Sequence, residues 1–179
     1  MENQNSDTQD TQVNQEHKRN VFVDMDGVLV DFSRGVQELT GIPIDQLKDS
    51  EMWAAVDAHG KSKFFSELNW MVGGKDLWQF VIKNFLQVKI LTALGKSDLV
   101  DKQTSQGKRM WIHRNIPSLR DDDIIMVQNK HQKKKYCTDP AFIIIDDTEE
   151  VIQEWTRKGG IAIFHRTAVD TISKLRQYV

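Results

Sequence analysis

Residues 21–32 read VFVDMDGVLVDF, and this stretch decides the fold. Three apolar residues in succession are typical of a buried strand in a parallel sheet that is covered on both faces. The strand runs into two carboxylates, Asp24 and Asp26, and Gly27 follows, where a tight turn can take a positive φ without steric cost. Ligands bind at the carboxyl ends of strands in open α/β sheets. Because two buried carboxylates are costly without compensation, they predict a site for a cation or for substrate chemistry.

A second acidic strand end lies about 120 residues later, which is the kind of context that a short motif needs. There the sequence reads FIIIDD over residues 142–147, so that four apolar residues run into Asp146 and Asp147. The second acidic strand end therefore repeats the pattern of the first.

The rest of the chain alternates between strand and helix patterns. Besides the strand before Asp146, strands are expected at about residues 20–24, 88–92, 124–127 and 161–164. The segments between the strands have helical spacing. This alternation favours an α/β, doubly wound fold with a mostly parallel central sheet of about five strands.

The two acidic strand ends resemble motifs I and IV of the haloacid dehalogenase (HAD) superfamily, DxDG and DD. The resemblance implies a HAD-like Rossmannoid core, with Asp24 as the nucleophile and Asp26 as the general acid/base. A carboxylate can form an aspartyl-phosphate, and a second one can protonate the leaving oxygen and later deprotonate water. The resemblance also implies Mg²⁺, bound by Asp24, the backbone carbonyl of Asp26, and Asp146 or Asp147, since Mg²⁺ takes oxygen ligands.

Two further motifs follow from the same resemblance. Thr92 ends the second strand in LTALG and resembles motif II, whose hydroxyl binds the phosphoryl group, so Thr92 and Ala93 become substrate-binding candidates. Residues 128–136 read QNKHQKKKY, where motif III places a lysine that neutralises the nucleophile and the phosphoryl group. The spacing to the tyrosine favours Lys133, and Lys134 and Lys135 remain alternatives.

The domain organisation is read from composition and spacing. Residues 1–18 are polar and are predicted to be a disordered tail, because they offer little apolar surface to bury. Residues 33–86 have helical spacing and resemble a small C1-type cap inserted into a core formed by residues 19–32 and 87–179. Phe32 and Trp70 are candidates for stacking on a substrate base.

A helix is predicted after the second strand. Ser97 or Asp98 is predicted to cap it, and it is predicted to run to about residue 115. Its basic residues are interpreted as a solvated face: Lys108, Arg109, His113 and Arg114.

Composition limits the partners. The 179 residues carry a formal net charge of −2, which gives no electrostatic case for a nucleic-acid groove. The single cysteine, Cys137, excludes an intramolecular disulfide and fits a reducing compartment. No apolar run approaches the roughly 20 residues that span a bilayer. A cytoplasmic protein without a membrane partner is expected, and a homodimer is left open.

Within the superfamily, the DMDGVLVDF and FFSELNW segments and the IDD ending look like the 5′(3′)-deoxyribonucleotidase group. LTALG departs from that group, which carries a Thr-Ser-Pro-like turn there. The prediction is a Mg²⁺-dependent phosphatase, a 5′-nucleotidase acting on (deoxy)nucleoside monophosphates as small-molecule phosphate esters. The alternatives are a polynucleotide 3′-phosphatase of end repair, a HAD phosphatase of another small phosphorylated metabolite, and a non-catalytic binding module.

Overall fold

Within the part of the chain that the computed structural model describes, residues 19–95 and 101–179, five parallel strands form one sheet. The strand order is β3-β2-β1-β4-β5. The predicted α/β fold with a parallel five-stranded sheet is therefore confirmed. The strands are β1 (Asn20–Val23), β2 (Gln87–Ala93), β3 (Ile124–Val127), β4 (Ile143–Asp146) and β5 (Ile161–Phe164).

Helices cover both faces of the sheet. Short 3₁₀ segments lie at Ile44–Gln46, Asp121–Asp123, Lys130–Tyr136 and Arg176–Tyr178. The α-helices are α1 (Phe32–Thr40), α2 (Asp49–His59), α3 (Lys61–Glu67), α4 (Gly74–Asn84), α5 (Lys102–Asn115), α6 (Glu149–Arg157) and α7 (Ala168–Leu175).

Alternation along β1 divides the core into two layers. Val21 and Val23 face the larger layer, whereas Phe22 faces the smaller one, because successive side chains of a strand point to opposite faces. Phe22 packs against Trp155 of α6, with the ring centroids 5.4 Å apart. β1 is thus buried on both faces, as its apolar run predicts.

The strand register brings the carboxyl ends together. Val23 of β1 pairs with Ile90 of β2 and with Ile145 of β4. The next residue, Asp24, continues the ladder, since its N–H donates to the Ile145 carbonyl at 2.9 Å. Whatever follows β1, β2 and β4 therefore lies on one edge of the sheet.

The segment between β1 and β2 contains α1 to α4. Of these, α4 packs against β2 and α7, whereas α3 packs against α5. A Cβ at Gly107 of α5 would lie 2.5 Å from the Ser62 carbonyl oxygen, so glycine permits the close approach of α3 and α5. The Trp111 indole N–H also donates to the Leu68 carbonyl at 2.7 Å. The boundaries of a cap at residues 33–86 stay a prediction.

Some expectations meet the structure only in part. The tail at residues 1–18 and the capping positions Ser97 and Asp98 lie outside the described residues. Helix α5 begins at Lys102, and its N-cap is Asp101, whose carboxylate accepts from the N–H groups of Gln103 and Thr104. No helix in the described ranges has the length and apolarity needed to cross a membrane.

Candidate active site

Three of the predicted residues meet at the carboxyl edge of the sheet. Asp24 directly follows β1, Thr92 lies in β2, and Asp146 ends β4. Their exposed fractions are only 6%, 1% and 0%, respectively. Polar groups buried this deeply need partners, and those partners define the chemistry of the site.

The turn after β1 is held against β4. The Met25 carbonyl accepts from the N–H groups of Leu29 and Val30, each at 2.9 Å, which closes the turn. Gly27 has a φ of 75°, and a Cβ there would lie 2.0 Å from Asp147 Oδ2. Any other residue at position 27 would strain the backbone and displace the Asp147 carboxylate.

Lys133 bridges two of the carboxylates. Its Nζ lies 2.9 Å from Asp24 Oδ2 and 2.7 Å from Asp146 Oδ2, and the residue is 2% exposed. Burial alone would lower the pKa of Lys133, but the charges of Asp24 and Asp146 outweigh it and hold the pKa above its usual range. Lys134 instead contacts Glu154 at 3.1 Å, and Lys135 is exposed. Of the three lysines, only Lys133 reaches these acids.

An acidic cluster could hold a metal ion. Asp24, Asp146 and Asp147 each offer one carboxylate oxygen, and these atoms lie within 4.8 Å of one another. Among the residues described, the Asp26 side chain lies outside this cluster, and a metal contact through its backbone carbonyl stays a prediction. A set of hard oxygen donors suits Mg²⁺.

The carboxylates of this cluster repel one another. Burial raises the pKa of Asp146 to about 6, and the charge of Asp24 adds to this effect. Burial of its carboxyl, followed by the charges of Asp24 and Asp146, raises the pKa of Asp147 to about 7. Asp147 is exposed as a residue, so water screens part of this repulsion. The single positive charge of Lys133 does not compensate three carboxylates, and a divalent cation would.

Asp26 faces a second buried lysine. Lys108 of α5 is 1% exposed, and its Nζ lies 2.6 Å from Asp26 Oδ2 and 2.9 Å from Thr92 Oγ1. The Ala93 carbonyl also accepts from this Nζ, at 2.8 Å. Burial raises the pKa of Asp26, although the Lys108 ammonium opposes the shift.

The interpretation of Lys108 as part of a solvated basic face is therefore wrong. Lys108 lies on the buried face of α5 with Thr104 and Trp111, at the spacing of successive helical turns. That spacing was visible in the sequence and could have identified it. Arg109 and His113 do lie at the surface, where both contact Asp121. Arg114 bonds to the Ser66 carbonyl of α3.

The two candidate aromatic residues pack into the protein. Phe32 is half-buried and stacks on Phe65, with centroids 5.9 Å apart. Trp70 lies 4.7 Å from Trp111, centroid to centroid, and its indole N–H donates to Asn115 at 2.9 Å. Phe65 connects Phe32 to the site, because its ring centroid lies 5.2 Å from Lys108 Nζ.

The pKa shifts predict how Mg²⁺ will stabilise the protein. Because the folded pKa values of Asp146 and Asp147 exceed the ordinary 3.8, the metal-free fold binds more protons than the unfolded chain. Its stability should therefore fall as the pH rises from about 4 to about 7. Mg²⁺ binds the ionised carboxylates, so it should raise the unfolding temperature more at about pH 8 than at about pH 5.

Thermal unfolding with and without Mg²⁺ at both pH values measures this effect. Asp147→Asn should reduce the difference between the two pH values, whereas Asp122→Asn, at an exposed position of the 121–123 turn, should not. An equal Mg²⁺ shift at both pH values would contradict the metal assignment.

The candidate site thus combines a central parallel strand that runs into two carboxylates with a second acidic strand end and a buried lysine beside it. No protein-family model matches the sequence, and no curated protein matches it. Solved structures do match. A HAD-superfamily hydrolase from Ehrlichia chaffeensis aligns with a TM-score of 0.57 at 13% identity, covering 89% of this chain and 96% of that one.

A haloacid dehalogenase-like hydrolase from Streptococcus pneumoniae aligns with a TM-score of 0.51 at 18% identity. That match covers 87% of this chain and 90% of the other. The chain therefore has the fold of the HAD-like hydrolases, as the sequence motifs predicted.

Proposed function

We propose that the protein is a Mg²⁺-dependent phosphomonoesterase that acts through an aspartyl-phosphate on Asp24. The observation that carries this proposal is the position of Lys133, whose buried ammonium lies between Asp24 and Asp146. A buried cation beside a carboxylate, at the ligand-binding edge of the sheet, suits the attack of that carboxylate on an anionic phosphate ester. The HAD-like fold supports the same reaction class.

The first step transfers the phosphoryl group to the protein. A carboxylate oxygen of Asp24 forms a bond to phosphorus while the bond from phosphorus to the leaving oxygen breaks. Asp26 gives its proton to that oxygen, so the product departs as an alcohol. The raised pKa of Asp26 favours the protonated carboxyl that this step needs.

The second step releases phosphate. Asp26, now a carboxylate, takes a proton from water as the water oxygen attacks phosphorus. The bond between phosphorus and the Asp24 oxygen breaks, which restores Asp24 as a carboxylate. Bound at Asp24, Asp146 and Asp147, Mg²⁺ would supply positive charge that offsets the clustered negative charges. Lys133 holds Asp24 in place, and Thr92 binds the phosphoryl oxygens.

The finer proposal is that the substrate is a nucleoside monophosphate, hydrolysed as by a 5′-nucleotidase. Support comes from the aromatic residues beside the site, where Phe32 stacks on Phe65 and Phe65 touches Lys108. A base that stacks on an aromatic ring gains about 1–3 kcal/mol. The geometry favours Phe32 over Trp70, because Phe32 reaches the site through Phe65, whereas the indole N–H of Trp70 already donates to Asn115.

A substrate panel tests both levels of the proposal. Nucleoside 5′-monophosphates, sugar phosphates and a 3′-phosphorylated oligonucleotide are compared with Mg²⁺ and with excess EDTA. Turnover that requires Mg²⁺ supports the phosphatase, and full activity in EDTA would rule out the metal role. Preference for the oligonucleotide would favour an end-repair 3′-phosphatase, and preference for sugar phosphates a HAD phosphatase of another metabolite. If no ester is hydrolysed, the remaining alternative is a non-catalytic binding module.

Replacing the stacking aromatic should narrow the preference for nucleotides. We expect Phe32→Ala to lower the kcat/KM ratio of nucleotide to sugar phosphate by roughly 5- to 150-fold, the worth of one base stack. Trp70→Ala should lower it less. Phe80→Ala removes a half-buried aromatic from α4 and serves as the control. An unchanged ratio in folded Phe32→Ala and Trp70→Ala proteins would show that these residues do not contact the base.

A further inference from the structure

The hydrogen bonds of Lys108 use its whole donor capacity. An ammonium group has three N–H donors and no acceptor. For Lys108 the acceptors are Asp26 Oδ2 at 2.6 Å, Thr92 Oγ1 at 2.9 Å and the Ala93 carbonyl at 2.8 Å. Lys133, in contrast, has two acceptors among the described residues and keeps one N–H for a ligand. Lys108 therefore has no donor left with which to bind a phosphate.

The contact with Lys108 decides what the Thr92 hydroxyl can do. Because Thr92 Oγ1 accepts a hydrogen bond from Lys108, its own O–H points elsewhere. In the described part of the chain, that O–H finds no acceptor, although Thr92 is only 1% exposed. The hydroxyl therefore keeps its O–H available to donate to an incoming phosphoryl oxygen.

The hydrogen bond from Lys108 also makes the two oxygens of the Asp26 carboxyl different from each other. Oδ2 is held by Lys108, whereas Oδ1 is buried and has no hydrogen-bond partner among the residues described. An unpartnered buried oxygen at a site needs a function or an absent partner to explain it. Oδ1 is therefore the oxygen that can exchange a proton with the substrate.

Lys108 itself is held firmly by the packing of α5 on α3. Its Nζ lies 5.2 Å from the centroid of the Phe65 ring, and the neighbouring Gly107 leaves no room for a Cβ against Ser62. Because the ammonium group is held in place by this packing, it can restrict the positions of the groups that accept its hydrogen bonds.

We propose that Lys108 is a positioning residue, which holds the Asp26 carboxyl and the Thr92 hydroxyl so that proton transfer and phosphoryl binding occur on the same phosphate ester. This inference rests on the proposed phosphatase function. Lys108 gains and loses no proton in the reaction, and it acts only through Asp26 and Thr92.

The test uses two aryl phosphates of similar shape. Phenolate is a basic leaving group, with a pKa near that of tyrosine at about 10, and it needs the Asp26 proton, whereas p-nitrophenolate leaves far more easily. Lys108→Met should lower kcat/KM for phenyl phosphate by about tenfold more than for p-nitrophenyl phosphate, within the range of lost general acid catalysis. Lys102→Met changes an exposed lysine of the same helix and should leave both values unchanged.

A double-mutant cycle separates positioning from a structural role. If Lys108 acts through Asp26, Lys108→Met in an Asp26→Asn background should not widen the difference between the two esters further. Circular dichroism and thermal unfolding verify the fold. If Lys108→Met does not fold, Lys108→Gln, which keeps an N–H donor in a neutral side chain, is measured in the same way.

The outcomes are distinct. Equal losses for both esters, or no loss, would overturn the positioning role while the phosphatase function stands. If the wild-type protein with Mg²⁺ hydrolyses neither ester, the proposed function itself fails, and the role of Lys108 fails with it.

Discussion

Asp24→Asn is expected to abolish turnover, with a loss of about 10⁴-fold or more, because a neutral amide cannot form the aspartyl-phosphate. The substitution also removes one charged ligand from the acidic cluster. The fold should remain intact, since Lys133 keeps Asp146 as an ionic partner at 2.7 Å and the cluster loses one repelling charge. Steady-state kinetics on the best substrate of the panel measure the loss.

Asp31→Asn is the matched control for this substitution. Asp31 belongs to the same segment but caps α1, where its side chain accepts from the Arg34 N–H, and asparagine caps a helix equally well. Its activity should therefore match the wild type. Quenching the reaction and mapping the trapped phosphate by mass spectrometry locates the nucleophile directly. Phosphate on any residue other than Asp24 would disprove the mechanism.

Lys133→Met is expected to cause the second large effect, a loss of roughly 10²–10³-fold in kcat/KM, as when a preorganised stabilising group is removed. The substitution leaves the Asp24 and Asp146 carboxylates buried without their cation. Removing one partner of a buried ion pair costs about 3–5 kcal/mol. The variant should therefore also unfold at a lower temperature in EDTA.

Lys134→Met provides the control for Lys133→Met. It removes an adjacent lysine whose Nζ contacts Glu154 rather than the acidic cluster. Its activity should be close to that of the wild type. If Lys134→Met or Lys135→Met loses the activity and Lys133→Met keeps it, the assignment of the lysine is wrong.

Much of the fold was predictable because it depends on local patterns. The apolar runs of β1, β4 and β5 have the character of strands buried in a parallel sheet. A parallel sheet places the ends of its strands on one edge, so Asp24, Thr92 and Asp146 had to lie near one another once the topology was assigned.

The positions of the buried lysines could not be predicted from local sequence patterns alone. Lys133, Lys134 and Lys135 are adjacent and chemically identical, and only the path of the Lys130–Tyr136 segment decides which one turns inward. Lys108 differs from the sequence prediction because a lysine on a helix is usually solvated, whereas this one is buried. Its burial depends on acceptors 15 to 82 positions away in the sequence.

The sequence by itself therefore determined which functional groups follow each strand. It showed which strands end in acids, which one ends in a threonine, and that a basic segment lies between β3 and β4. Only the tertiary structure decided which cation compensates which acid. It assigns Lys133 to Asp24 and Asp146, and Lys108 to Asp26. The physical reason is that strand patterns arise from neighbours in sequence, whereas a buried charge is stabilised only by partners that folding brings within hydrogen-bond distance.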